Sequence, residues 1–180
     1  MKALRRILGD RVDSPAFARA SELLLRAATS APFEGRPMYA ALRAVPIPTD
    51  VVARFFHAAT LLREHRGDGH IAALMIEGVG GLEAHVLFAL DMGMPAEKFG
   101  RIHHLPAAQL AAVIDGMRER GLIGDDGWFS EQGRAVKQRV EALTDDLAAK
   151  PYESLEANEV DELMATLEPL AALLLAAQDW

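Results

Sequence analysis

The densest set of chemically capable side chains is Arg63, Glu64, His65, Arg66, Asp68 and His70. Two arginines three residues apart on a helix can hold one carboxylate or phosphate between their guanidinium forks. His65 and His70 carry rings that exchange protons near neutral pH, and Glu64 and Asp68 are the carboxylates that would orient them. On a 3.6-residue repeat Phe55, Ala58, Leu62 and His65 share one side, so His65 extends an apolar stripe, while Phe56, Ala59, Arg63 and Arg66 form the next side. The expected ligand site is therefore Phe56, Arg63, Glu64, His65, Arg66, Asp68 and His70, taking a small molecule that is anionic or aromatic. Were it catalytic, His65 or His70 would move the proton, Glu64 or Asp68 would orient it, and the arginines would clamp developing charge. A plain structural junction accounts for the same residues: cations near a helix C-terminus offset its dipole, Gly67 stops the helix, and Asp68 caps the next segment. No nucleophile is obvious nearby, so enzyme or non-enzyme stays open.

Other candidates are weaker. Glu64, His65, Asp68 and His70 are metal-ligand types, but their spacing across a helix end differs from the helical ligand patterns, and no metal is expected. The chain has no cysteine, which excludes disulfide frameworks, thiolate nucleophiles and cysteine zinc sites, and fits a reducing cytoplasm. Gly78, Gly80 and Gly81 follow no strand, so a phosphate-cradling loop is not expected, and no cofactor pattern is present. His103 and His104 precede Pro106 as a solvated turn, and His85 falls inside an apolar helix.

The elements that must position these residues are mostly helices, because apolar residues recur at helical spacing among strong helix formers. Ser14 caps a helix with Pro15 at its first position. A short helix is expected over 38–44, then a longer one over 51–66 that ends at Gly67 and Gly69, with a separate apolar segment over 70–76 and a hinge at the glycines beyond it. Further helices are expected over 82–92, 95–102 and from Pro106 to 117. Gly124-Asp125-Asp126-Gly127 is a hairpin turn between 121–123 and Trp128-Phe129. Ser130 caps a long helix, and the last helix starts near Asn158 and breaks or kinks at Pro169. No apolar run reaches the roughly 18 to 20 residues of a membrane span, the longest being 170–177. The basic start, residues 1–6, is interrupted before any signal-peptide segment forms.

Three helices and a small hairpin are the ingredients of a winged helix-turn-helix. Arg118-Glu119-Arg120-Gly121-Leu122-Ile123, the hairpin, and Phe129-Ser130-Glu131-Gln132-Gly133-Arg134 resemble the recognition-helix and wing passage of MarR-like regulators, and the helix over 158–174 resembles their C-terminal dimerisation helix. Leu62-Arg63-Glu64-His65-Arg66-Gly67-Asp68-Gly69-His70 and Arg139-Val140-Glu141-Ala142-Leu143-Thr144-Asp145 resemble an actinobacterial family of uncharacterised helix-turn-helix proteins over nearly the whole chain. Its members usually carry a further N-terminal helical region, and the chain is expected to begin partway along their pattern. The resemblance implies a mainly α, MarR-like winged helix-turn-helix and a homodimer. Its expected parts are an N-terminal helical region over 1–78, the winged module over 79–150, and a C-terminal helix over 151–180 packing on the N-terminal region or at the dimer interface.

Charge argues against the DNA reading that this resemblance carries. The net charge is −7. From Gly69 to Ala135 the bases Lys98, Arg101, Arg118, Arg120 and Arg134 are outnumbered by Glu77, Glu83, Asp91, Glu97, Asp115, Glu119, Asp125, Asp126 and Glu131. Phosphate contacts supply most of a DNA binder's affinity, and here the wing tip is Asp125-Asp126. Gln109 is the one base-reading side chain at the front of the expected recognition helix, with Arg101, His104 and Arg118 as further DNA contacts if the protein is a regulator. The favoured reading is thus a cytoplasmic small-molecule-binding winged-helix protein with its pocket at 63–70, in the crevice where the helical and winged parts meet. A dimeric ligand-responsive regulator of transcription is the alternative, and an enzyme using His65 or His70 the second.

Overall fold

The computed structural model describes residues 1–96 and 105–177. Ser14 does cap the helix that follows: its hydroxyl accepts from the Phe17 N–H at 3.1 Å, with Pro15 in the first turn. The helices in chain order are α1 (Lys2–Leu8), α2 (Pro15–Ser30), α3 (Pro37–Arg43), α4 (Val51–Ile76), α5 (Gly81–Asp91), α6 (Ala107–Glu119), α7 (Glu131–Ala149) and α8 (Ala157–Ala176), with 3-10 turns at Gly9–Asp13 and Lys150–Ser154. The chain divides into two compact units, Met1–Gly69 with Leu147–Trp180, and His70–Asp146.

The first unit packs α1, α2, α3, the first part of α4 and α8 around Phe17, Leu23, Tyr39, Val52, Leu61, Leu163 and Leu170. Phe17 and Phe55 stack with ring centres 4.7 Å apart. Tyr39 is wholly buried, and its hydroxyl donates to the Ala28 carbonyl at 2.6 Å, so the ring fills the core without stranding a polar atom. Glu159 ties α8 to α2 by accepting from Arg26 and, at 2.8 Å, from Arg19. Pro169 sits inside α8, which continues to Ala176 without the expected break.

The second unit surrounds Leu74, Val86, Leu87, Leu90, Leu110, Ile114, Met117, Leu122, Val136 and Val140. Here the expected hairpin is reduced to one antiparallel bridge, Ile123 with Phe129, and no strand occurs among the described residues. The turn itself forms as expected: Gly124 N–H donates to the Trp128 carbonyl at 2.8 Å, Asp126 Oδ1 accepts from Trp128 N–H at 3.0 Å, and Gly127 has φ 81°. The arms cannot lengthen. Gly121 on one side has φ 71°, outside strand geometry, and Ser130 on the other caps α7 through Gly133 N–H at 2.9 Å. Gly133 belongs to this close approach, since a Cβ there would stand 1.9 Å from the Leu122 carbonyl oxygen.

A second correction concerns α4. The expected stop at Gly67 to Gly69 does not occur, and residues 70–76 continue the same helix. Gly69 has another role: a Cβ on it would meet Arg36 Nη1 at 2.9 Å and Leu147 Cβ at 3.2 Å. Asp68 caps no following segment but reaches sideways to α3. The short helix expected over 95–102 falls almost entirely outside the described residues.

Candidate functional site

The residues around Arg63 take separate places along α4. Arg63 is exposed and pairs with its neighbour Glu64, and Phe56 and Arg66 also lie on exposed helix surface. His65 points the other way, 1% exposed, with its ring edge-on to Tyr39 at 5.1 Å between centres. Its Nε2 is buried without a hydrogen-bond partner, as is that of His57. Burial first, and then the Arg36 charge, lower the His65 pKa to about 4, against a weaker opposing pull from Asp68. At neutral pH the ring is neutral and out of solvent's reach, which suits a core position and not a proton shuttle.

The hub of this region is Arg36. It is 8% exposed and donates to the His65 carbonyl and, at 2.8 Å, to the Leu147 carbonyl. Burial lowers its pKa from the usual guanidinium value, opposed by the neighbouring charge of Asp68. Asp68 in turn accepts from the Tyr39 N–H at 2.9 Å, satisfying an orphan donor in the first turn of α3. Arg36, Tyr39, His65 and Asp68 thus form one buried or half-buried polar cluster in the first unit. Sequence reasoning missed Arg36, which stands between Gly35 and Pro37 in what reads as a plain loop, and nothing in its spacing distinguishes a buried cation from a solvated one.

His70 belongs to the second unit. Its Nδ1 lies 2.9 Å from the Thr144 hydroxyl, which donates its single proton to the Val140 carbonyl at 2.6 Å. The hydroxyl therefore accepts from His70, and the hydrogen sits on Nδ1. His70 fastens α4 to α7 within that unit. Among the described residues, no group of histidine and acidic side chains has the arrangement of a metal site, and no single helix is long and apolar enough to cross a membrane.

The second candidate surface is the outer face of α6. Ala107, Ala108, Gln109, Ala111, Ala112, Asp115, Arg118 and Glu119 are exposed, while Leu110, Ile114 and Met117 face the core. Small residues along this face let the helix backbone come close to a partner, and Gln109 offers an amide that donates and accepts. Among the described residues, the surrounding cations are already engaged. Arg118 holds Asp115 at 2.9 Å, Arg120 holds Glu83 at 2.8 Å and the Gly78 carbonyl at 2.7 Å, and Arg139 holds Glu77 through two nitrogens. Lys137 pairs with Glu141 at 2.6 Å, and Arg134 donates to the Phe129 carbonyl at 3.0 Å. Arg101 and His104, named as DNA contacts from sequence, lie outside the described residues.

The second unit is mainly helical, with α5 packed on α6 and a tight turn leading into α7. The chain belongs to a helix-turn-helix family, whose model matches residues 1–180. No curated protein and no solved structure matches the chain significantly.

Proposed function

We propose that the protein is a DNA-binding regulator of transcription that presents α6 to the major groove. Its family membership over residues 1–180 carries this reading, supported by the small-residue face of α6 around Gln109. Gln109 would pair with an adenine edge, the bidentate contact its amide suits, with Arg118 beside it. The proposed working form is a cytoplasmic, MarR-like homodimer, since two half-sites double the few contacts one α6 can make; the exposed Met164 and Leu175 on α8 support an interface there. Fluorescence anisotropy of the full chain against a pool of mixed duplexes at low salt tests the reading. Saturable binding, with sequence discrimination that weakens by about 1 to 3 kcal/mol in Gln109→Ala, is expected. Binding indifferent both to sequence and to Gln109→Ala refutes it.

A second reading, small-molecule binding on the face of α4 that carries Phe56, Arg63 and Arg66, draws on one observation, the exposure of these three side chains together. Thermal-shift screening with aromatic acids and phosphorylated metabolites tests it, because a ligand that prefers the folded chain raises its melting temperature. A shift that survives Arg63→Met and Arg66→Met together counts against this site.

A further inference from the structure

Beneath the Gly124–Gly127 turn the second unit holds a cavity of about 300 Å³. Ile114 of α6 and Ile123 give it an apolar floor, Trp128 a half-exposed aromatic wall, and Asp125 and Asp126 an acidic rim. The size is at the lower end of small-molecule pockets, and the mixture of apolar surface with a few polar groups is their usual lining. Among the described residues its charge is lopsided. Arg118 also lines the cavity, but Asp115 already balances that guanidinium at 2.9 Å. Neither Asp125 nor Asp126 has an ion pair among the described residues, and Asp126 uses only Oδ1, on Trp128 N–H.

These features narrow the occupant. An anion is repelled by the rim. A hard metal ion seeks six or more oxygens, and an isoleucine floor provides none. A neutral apolar molecule would suit the floor but leave the two carboxylates unused. An organic cation uses all three features, its charge between the carboxylates and the indole and its apolar body on the isoleucines.

We propose that this cavity binds a small organic monocation carrying an aromatic or branched aliphatic group. The site is separate from the region around Arg63 and stands whether or not α6 reads DNA. Calorimetric titration of the full chain with benzyltrimethylammonium tests it, with neopentylbenzene, its uncharged isostere, followed by NMR. Saturable binding of the cation is expected, with the neutral isostere about tenfold weaker or worse. Asp125→Asn with Asp126→Asn removes the rim charge but keeps an Oδ1 acceptor for Trp128 N–H, so the turn survives. This variant should melt as the parent does and bind the cation about tenfold more weakly, and Trp128→Leu about threefold more weakly. Equal binding of the neutral isostere, undiminished binding by the double variant, or no saturable binding at millimolar cation overturns the proposal.

Discussion

Replacing Arg36 with methionine isolates the interaction on which the first unit's polar cluster depends. The guanidinium is 8% exposed and bridges the carbonyls of His65 on α4 and Leu147 near the end of α7. Hydrogen bonds from a charged donor are worth about 1.5 to 3 kcal/mol each, and methionine refills much of the apolar volume while supplying neither. The loss is partly offset because the charge no longer has to be kept out of water, which leaves a net destabilisation of about 3 kcal/mol. For a chain of this length that lowers the melting temperature by roughly 6 to 12 °C, read by scanning calorimetry. Arg36→Lys keeps the charge but carries all its donors on one nitrogen where arginine uses two, so it should fall between parent and methionine variant. Arg63→Met is the control: that guanidinium is exposed and among the described residues pairs only with its neighbour, so stability should stay within about 0.5 kcal/mol. An Arg36→Met variant that loses under about 1 kcal/mol would refute the assignment of Arg36 as the hub.

The His65 ring makes stability depend on acid. Its folded pKa, about 4, lies below the ordinary 6.5, so the unfolded chain takes up the proton first. That contribution is fully present above pH 6.5, is lost as the pH falls from 6.5 to 4, and amounts to about 3 kcal/mol; a urea-denaturation series in which His65→Leu does not flatten this interval would contradict it. Glu159, held down to about 2 chiefly by Arg26, loses its contribution lower, between 4.5 and 2, so Arg26→Met should change the acid limb only there. Gly133→Ala should destabilise by about 1 to 3 kcal/mol despite alanine's better helix propensity, since its methyl meets the Leu122 backbone. Gly116→Ala on α6 meets nothing within 4 Å and should stabilise by about 0.5 to 1 kcal/mol, and thermal melts of the two read opposite signs if both placements hold. Asp125→Asn with Asp126→Asn should tighten binding to mixed duplex DNA about fivefold at low salt, with a gain that shrinks as salt is added; unchanged anisotropy titrations would place the turn away from the phosphates.

Capping and periodicity were legible because they are local. Ser14 before Pro15, Ser130 three residues before Gly133, and the apolar repeat of α2 act within one turn of helix, and the chain folds as they direct. What misled was also local evidence with a distant cause. Gly67 and Gly69 look like a helix stop, yet the helix runs through them, and Gly69 suits its place because Arg36 and Leu147, far apart in sequence, crowd the position a side chain there would take. The hairpin shows the reverse case. Its Asp-Gly turn forms, but cross-strand pairing ends after one bridge, since the residues meant for the arms are claimed by the left-handed Gly121 and the cap of α7. His65 was legible as the continuation of an apolar stripe, and its burial bears out that periodicity. The partner that sets its electrostatics, Arg36, was not, because a cation is buried only when the tertiary fold brings carbonyls to it.

The electrostatics of the second unit bound what α6 can do on DNA. Each phosphate neutralised by a lysine or arginine adds about 0.9 to the slope of log affinity against log salt. Here Arg118, Arg120, Lys137 and Arg139 are already held by carboxylates of the same unit, and a phosphate could recruit one only by displacing Asp115, Glu83, Glu141 or Glu77. That exchange returns little energy, because one anion replaces another. Among the described residues, affinity in the proposed complex is then left to uncharged contacts, of which the Gln109 amide and the close approach allowed by the alanines of α6 are the available kind, multiplied by the second copy of the proposed dimer. Such a protein would bind DNA with a shallow salt dependence and depend heavily on sequence match, the opposite balance from a binder held by phosphate contacts. A steep salt slope for the parent chain would mean that cations outside the described face make the contact.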